Sequence, residues 1–302
     1  MKITMLSEID YAASGHRLCE AIRKHTKHDI EIFTGKYYNP YKHNDNSTHN
    51  RRQVQQRINE SDIVHLKGDW PPKDGYMNLK IMHKPIIVSV SGSHFRKKPG
   101  GHGKYNRNQY KTAKVRTAFT PDLCYPEYSD TWTPHPIDSD VQAIEWQRSD
   151  PPVLMHMPTN KAVKGTEFIY EVFKALQRKR KVKIMILENL NFKEAVEIRK
   201  KATIFFDQFV VGFYGNSAIE AMQYGIPVAA WINQLSLTQA KDRLHWCPVI
   251  TARKTVNDWV NRIEKILDSD MQVISMITKQ WCDYIHGYHA VATQWDKIYN
   301  AV

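Results

Sequence analysis

The sequence predicts an α/β protein with two doubly wound, Rossmann-like domains that face a cleft. Three observations support this fold class. Short apolar runs typical of β-strands alternate with helical patterns along most of the chain, as in parallel sheets covered by helices. A proline pair, Pro151 and Pro152, separates two such blocks. The length of 302 residues suits two domains of roughly 150 residues each. We therefore predict domains at residues 1–149 and 150–280, followed by a helical segment at 281–302.

The elements of the first domain follow from its apolar pattern. A helix is predicted at Gly15–His25, because Leu18, Cys19 and Ile22 recur at helical spacing. This helix opens after a turn of small residues, so Gly15 at its start is a candidate contact for an anion. Five strands are predicted, at Lys2–Leu6, Ile30–Phe33, Ile63–Leu66, Ile86–Val90 and Thr117–Thr120.

The second domain repeats the alternation of strands and helices. Four strands are predicted, at Val153–His156, Lys183–Leu187, Ile204–Phe206 and Pro227–Trp231. The predicted helices between them are at Thr166–Arg178, at Phe192–Lys200 and around Glu220. In such sheets ligands bind at the carboxyl ends of the strands, which places the candidate site there.

The stretch Asp207–Trp231, DQFVVGFYGNSAIEAMQYGIPVAAW, carries the clearest site signal. An apolar run leads into Gly-Phe-Tyr-Gly, and a helix then begins around the acid Glu220 and stops at Gly225. A helix whose first turn faces a glycine-bearing loop presents free N–H groups and the positive end of its dipole. The stretch therefore predicts a place that holds an anion.

The charge of the chain points to an anionic partner. The formal net charge is +12 and the pI is near 9.4, as expected for a protein that meets nucleic acid, a membrane surface or a phosphorylated substrate. The segment His94–Arg116 holds eight Lys or Arg residues and no acid, interleaved with glycines and two tyrosines. Such a segment suits phosphate contacts with base stacking. Its candidate acceptor-binding residues are Arg96, Lys97, Lys98, Lys104 and Arg107.

Composition also bears on location. The longest apolar runs, such as Pro85–Val90, are too short to cross a bilayer, and no signal peptide is visible. The four cysteines are scattered, which argues against a disulfide framework and against a zinc knuckle. We expect a protein of the reducing cytoplasm, which is the host cytoplasm if a phage encodes it. Peripheral contact with a membrane surface stays open.

Three blocks of residues resemble a known family, the retaining glycosyltransferases of the GT-B fold, of the family-4 and phage types. The block His156–Ile169, HMPTNKAVKGTEFI, looks like the strand, loop and Lys-Gly helix start of that family. The block Gly212–Val228, GFYGNSAIEAMQYGIPV, resembles its loop-helix signature. The block Trp281–Tyr299, WCDYIHGYHAVATQWDKIY, is similar to its last helices, which cross back to the first domain.

The resemblance implies transfer of a sugar from a nucleotide-sugar donor, a UDP-sugar, with retention. Lys164 stands at the family's phosphate-binding lysine and Glu220 at its ribose-binding glutamate, so both are candidate catalytic residues, together with His94. Further candidate donor contacts are Gly15, Lys161, Gly165, Gly215, Asn216 and Ser217. The family stabilises its leaving diphosphate without a bound metal. Because Asp207 stands alone, with no Asp-x-Asp motif, no metal is expected here.

The chain also departs from the family pattern. Gly212 stands where members with a paired-glutamate signature carry a first acid near the donor sugar. Thr159 replaces an arginine that often precedes the lysine, and Ser91 replaces a histidine that commonly follows the fourth strand. His94 lies three residues beyond Ser91, and His156 is a further histidine in the first block.

Three functions follow from these observations. The first is a glycosyltransferase that modifies DNA at a flipped-out 5-hydroxymethylpyrimidine, as phage-type enzymes of this fold do. The second is a glycosyltransferase that acts on a cell-envelope glycan or a lipid-linked sugar, since basic segments also bind anionic headgroups. The third is a module that binds nucleotide or nucleic acid and has lost its chemistry, which the missing acid at Gly212 allows.

Overall fold

The computed structural model describes residues 1–35, 50–68, 79–81, 83–92, 112–124, 129–145 and 149–302. The chain forms two compact units, one of residues 1–138 and 287–302, the other of residues 139–286. These divisions differ from the sequence-based ones at 149/150 and 280/281. The segment before the proline pair bonds within the second unit, where Ile144 N donates to Tyr224 O at 3.1 Å. A helix at Met271–His286 runs past residue 280 without a break.

The first unit contains a six-stranded parallel sheet with the strand order β2-β1-β3-β4-β5-β6. Its strands are β1 Lys2–Ser7, β2 Asp29–Thr34, β3 Ile63–Lys67, β4 Ile86–Val90, β5 Val115–Ala118 and β6 Thr131–Trp132. Its helices are α1 Ser14–His25 and α2 Arg51–Glu60, with α11 Tyr288–Asn300 from the C-terminal segment. All five predicted strands are present, and only the two-residue β6 was not predicted.

The core of the first unit joins its two chain segments. Buried residues of α1, such as Leu18 and Ile22, pack in one cluster with Val291, Trp295 and Tyr299 of α11. The Tyr288 hydroxyl also donates to the Glu20 carboxylate at 2.9 Å. The C-terminal helix is therefore part of this core, which residues 1–138 do not complete by themselves.

The second unit contains a four-stranded parallel sheet with the strand order β10-β9-β7-β8. Its strands are β7 Val153–His156, β8 Lys183–Ile186, β9 Ile204–Phe206 and β10 Val228–Ala229. Its helices are α3 Lys161–Lys164, α4 Thr166–Lys179, α5 Phe192–Arg199, α6 Asn216–Met222, α7 Gln234–Gln239, α8 Lys241–Leu244, α9 Val256–Leu267 and α10 Met271–His286. Apolar residues of α4 and α9, including Phe173 and Trp259, cover β7 and β9 in one cluster.

The two parallel, helix-covered sheets confirm the predicted fold class. Burial explains why the strands could be recognised: β4 is buried along its whole length and is apolar except for Ser89. β3 is equally buried, although it contains His65 and Lys67 beside its apolar residues. Within the described part of the chain, no helix is both long and apolar enough to span a membrane.

Candidate functional site

A buried ion pair lies where two neighbouring strands of the second unit end. Asp207 follows β9 directly, and Lys164 ends the short helix that follows β7. Because β7 and β9 pair in the sheet, their carboxyl ends bring the two side chains together, and the Lys164 ammonium donates to Asp207 Oδ1. The Asp207 side chain is only 1% exposed. The candidate lysine thus lies at the strand ends, where ligands bind in sheets of this kind.

The glycine turn before α6 closes on this pair. The Gly215 N–H donates to Asp207 Oδ2 at 2.6 Å. The position of a Cβ atom at Gly215 lies 3.4 Å from Asp207 Oδ2 and 3.5 Å from Lys164 Nζ, so the turn is in van der Waals contact with both groups. The Gln208 amide donates to the carbonyl of Phe213 and ties the two ends of the loop together. The structure therefore brings Lys164 and Gly215 together, with Asp207 between them.

Gly165 has a local structural reason to follow the lysine. Its φ of +72° lies in the left-handed region that favours glycine, and it ends α3. A Cβ atom here would lie 3.1 Å from Val210 Cγ2 and 3.2 Å from Phe209 Cβ. The Phe209 N–H donates to the Lys164 carbonyl at 2.9 Å. Gly165 thus lets the lysine-bearing turn pack against the loop that carries Asp207.

Glu220 lies in α6 and forms a second buried ion pair. Arg199 Nη1 donates to Glu220 Oε2 at 3.1 Å, and the two side chains are 4% and 7% exposed. The Arg199 guanidinium also lies over the Phe205 ring, 5.3 Å from its centroid. The sequence did not single out Arg199, because its position at the end of an ordinary amphipathic helix resembles that of many surface arginines.

The other candidate donor contacts of the second unit are less central. Asn216 and Ser217 form the first turn of α6, next to Gly215, and both are partly buried. Lys161 begins α3 on the surface, where its ammonium pairs with Glu188 at 2.9 Å and its side chain is 63% exposed. Asn216 and Ser217 therefore belong with the Gly215 turn, whereas Lys161 lies in a solvated ion pair.

The surroundings of Gly212 leave no room for the acid that the resembled family carries at this position. Its φ is +93°, and a Cβ atom there would lie 2.2 Å from Asn233 Nδ2. Asn233 is held in place, since its N–H donates to the Gly212 carbonyl at 2.9 Å and its side chain accepts from Ser236 N at 2.8 Å. A glutamate at this position is incompatible with the local packing.

His156 is a core residue. It is buried, with Nδ1 2.8 Å from the Phe206 carbonyl and Nε2 2.9 Å from the Thr166 hydroxyl. Because the carbonyl can only accept, Nδ1 carries the proton and the hydroxyl donates to Nε2. Burial is the main reason that the pKa of His156 lies below its usual value. This histidine links β7, β9 and α4, which is a structural role.

In the first unit the start of α1 is occupied by a carboxylate of the chain itself. Gly15 N and His16 N donate to the Asp10 carboxylate at 2.8 and 3.0 Å, and the Lys67 ammonium pairs with it at 2.7 Å. Burial alone would raise the pKa of Asp10, but Lys67 and His16 outweigh it and hold that pKa well below its usual value. Asp10 thus already accepts a hydrogen bond from the Gly15 N–H, which the sequence analysis predicted to contact an anion.

His94 and the basic residues Arg96, Lys97, Lys98, Lys104 and Arg107 lie outside the residues that the structure describes. Among the described residues, no group of three or more His, Cys, Asp or Glu side chains is arranged to hold a metal ion.

Comparisons with known proteins identify the fold. No family model matches the chain, and no curated protein sequence matches it. A glycosyltransferase from Rickettsia africae has a TM-score of 0.67 at 14% identity, covering 99% of this chain and 97% of that one. Sucrose-phosphate synthase from Thermosynechococcus elongatus has a TM-score of 0.65 at 11% identity, covering 100% and 99%. An α-glucosyltransferase in complex with UDP and a DNA 13-mer containing an HMU base has a TM-score of 0.65 at 12% identity, covering 98% and 99%.

These likenesses extend over the whole chain at low sequence identity, and they show a shared fold. The chain has the GT-B fold, the class of two Rossmann-like sheets found in nucleotide-sugar glycosyltransferases.

Proposed function

We propose that this protein is a retaining glycosyltransferase that moves a sugar from a UDP-sugar to a hydroxymethylated pyrimidine in DNA. The observation that carries the proposal is the buried Lys164 ammonium, held at the ends of β7 and β9 beside the Gly215 turn of a GT-B fold. Breaking the bond between sugar and nucleotide leaves a diphosphate. Its growing negative charge needs a fixed cation and N–H donors, which is what this corner of the sheet supplies.

The donor nucleotide is proposed to lie along α6. Lys164 and the Gly215–Ser217 turn contact the diphosphate, and Glu220 accepts hydrogen bonds from the ribose hydroxyls, since an ionised carboxylate has two oxygens for that purpose. One oxygen of Glu220 already accepts from Arg199, which fixes the side chain. Support for a UDP-sugar comes from the α-glucosyltransferase of the same fold, which was crystallised with UDP.

The leaving diphosphate is proposed to be stabilised by protein groups without a metal ion. Lys164 Nζ lies 3.5 Å from the position of a Gly215 Cβ atom, whereas Lys161 lies one helical turn earlier on the surface. Removal of the buried Lys164 should therefore destabilise the transition state more than removal of the exposed Lys161. Lys161 then contributes a weaker, solvent-screened attraction.

The acceptor is proposed to be DNA, bound through the basic segment His94–Arg116. Its eight cationic residues and its lack of acids suit a polyanion, and His94 lies at its beginning. The α-glucosyltransferase of the same fold was crystallised with DNA that contains an HMU base, which supports this class of acceptor. A hydroxymethyl group inside a duplex becomes reachable when its base is flipped out.

The test is mass spectrometry of DNA that contains 5-hydroxymethylcytosine or 5-hydroxymethyluracil, incubated with a panel of UDP-sugars. We expect a mass increase of one sugar on hydroxymethylated DNA. Unmodified DNA of the same sequence serves as the acceptor control, and the Lys164→Ala protein as the enzyme control. Release of UDP without modified DNA would instead support the envelope-glycan acceptor. Absence of UDP release with every donor would leave the non-catalytic module as the better proposal.

A further inference from the structure

Asp207 makes the same contacts that a bound diphosphate would require. Its two carboxylate oxygens accept from the Lys164 ammonium and, at 2.6 Å, from the Gly215 N–H. A phosphate oxygen is likewise an anionic acceptor that favours ammonium and backbone N–H donors. Asp207 therefore accepts from both donors that the proposed function assigns to the donor phosphates.

The packing around Gly215 shows that this arrangement is built into the site. Three polar side-chain atoms converge on the position of a Gly215 Cβ, namely Asp207 Oδ2 at 3.4 Å, Gln208 Nε2 at 3.5 Å and Lys164 Nζ at 3.5 Å. The turn therefore lies in van der Waals contact with both members of the ion pair. The Lys164 ammonium is buried, so it needs an anionic partner both before and after a ligand is bound, because an unpaired buried charge is strongly unfavourable.

We propose that Asp207 is a positioning residue that competes with the diphosphate for Lys164 and for the Gly215 N–H. Before the donor binds, Asp207 holds the lysine and the turn in place. When the donor binds, its diphosphate takes over these donors. After transfer, Asp207 recaptures them, which helps the nucleoside diphosphate to leave. This inference rests on the proposed function and assigns a role to an acid that neither metal binding nor ribose binding explains.

The first test is the binding of UDP to Asp207→Asn, measured by calorimetry. The variant keeps the size of the side chain and removes the competing charge, so we expect UDP to bind at least about tenfold more tightly, about 1.4 kcal/mol. In turnover, both kcat and the KM for the UDP-sugar should fall, because product release becomes slow. A merely structural role predicts the opposite for binding, since a displaced lysine and turn would weaken it. UDP affinity equal to or below that of the wild type overturns the proposal.

The matched control is Glu197→Gln. This acid also belongs to an ion pair of the second unit, with Lys200 at 2.7 Å, but its side chain is 69% exposed. Its replacement removes the same charge from the unit without touching the buried pair. UDP affinity should then change by less than about twofold, because exposed pairs are screened by solvent. A tenfold gain in this control would mean that net charge, and not Asp207, governs binding, which overturns the proposal.

A second test uses the wild-type protein and does not depend on how Asp207→Asn folds. In a crystal structure with UDP, we expect Lys164 Nζ and Gly215 N to have left Asp207 for phosphate oxygens. An unchanged Lys164–Asp207 pair beside bound UDP overturns this inference and leaves the proposed function standing. A wild-type protein that binds none of UDP, ADP and GDP overturns the proposed function, and this inference with it.

Discussion

The buried pair between Glu220 and Arg199 allows the ribose role and the structural role of Glu220 to be separated. In Glu220→Gln the amide cannot balance Arg199, whose side chain is 4% exposed. Breaking a buried pair on one side costs about 3–5 kcal/mol of stability. At roughly 2–4 °C per kcal/mol for a unit of this size, the melting temperature should fall by about 6–20 °C. By sequence alone, the same substitution at a helix start would be expected to leave the fold intact.

Binding should be measured as a ratio, because a ratio between two ligands is insensitive to the folded fraction. We expect the wild type to prefer UDP over 2′-deoxy-UDP by roughly tenfold or more, since a hydrogen bond to a charged group contributes about 1.5–3 kcal/mol. In Glu220→Gln this preference should shrink towards unity. Calorimetry below the melting temperature of the variant gives both dissociation constants.

The stability control is Arg199→Met combined with Glu220→Gln. This double variant contains no unpaired buried charge, so it should recover part of the lost stability. The reasoning is refuted if Glu220→Gln melts within 2 °C of the wild type, as roughly 1 kcal/mol or less would imply. An unchanged preference for UDP over 2′-deoxy-UDP in Glu220→Gln would refute the ribose role of Glu220.

Four further predictions concern the donor site, the metal, the acceptor and the fold. Lys164→Ala should lose about 2–4 kcal/mol of transition-state stabilisation, observed as a lower kcat/KM for the donor in an assay of UDP release. Excess chelator should leave transfer unaffected in the same assay. Neutralising Arg96, Lys97 and Lys98 together should flatten the salt dependence of DNA affinity by about two to three logarithmic units, at about 0.9 per phosphate contact. His65 of β3 is fully buried, and burial, with a smaller effect of Lys67, lowers its pKa to about 3. Above pH 6.5, its ordinary pKa, His65 is neutral in both the folded and the unfolded chain, and the fold keeps its full stability. This stability should be lost as pH falls from 6.5 towards 3, by about 1.4 kcal/mol per pH unit in denaturant titrations.

Each of these predictions has an outcome that contradicts it. Wild-type turnover in Lys164→Ala removes the lysine from the diphosphate site. Activity lost in chelator and restored by magnesium or manganese contradicts the metal-free proposal. An unchanged salt slope in the triple variant, with UDP release intact, excludes the basic segment as the DNA contact. Unfolding free energies that are flat between pH 6.5 and 4 mean that His65 is not held neutral.

The fold was predictable from sequence because most of its strands are short, mainly apolar and buried. Their runs stand out against the helices, and the alternation defines a parallel sheet. β6 was not recognised, since two residues carry no period. The glycine turn was recognised from the pattern of a glycine-bearing loop that leads into a helix, and Lys164 through the family resemblance. Both signals concern residues close together in sequence.

The partners of the candidate residues were harder to predict. Asp207 lies 43 residues from Lys164, and Arg199 lies 21 residues from Glu220, so no local pattern links either pair. Only the adjacency of β7 and β9 brings the first pair together. An acid directly after a predicted strand was the available signal, because the carboxyl ends of neighbouring parallel strands meet at one edge. In the first unit the same reasoning applies to Asp10 and Lys67, because β1 and β3 are neighbours in the sheet, whereas the contact of Asp10 with Gly15 is local.

The first unit is built from two separate segments of the chain, and this has a consequence for synthesis on the ribosome. Its core needs Trp295 and Tyr299, which are translated after the whole of residues 139–286. At about 5–20 residues per second, the first 138 residues wait several seconds or more with the α1 surface uncovered. The second unit is continuous in sequence and can fold during that interval. The nascent chain therefore completes its later unit first, and its earlier half is the part that a holding chaperone would be expected to protect.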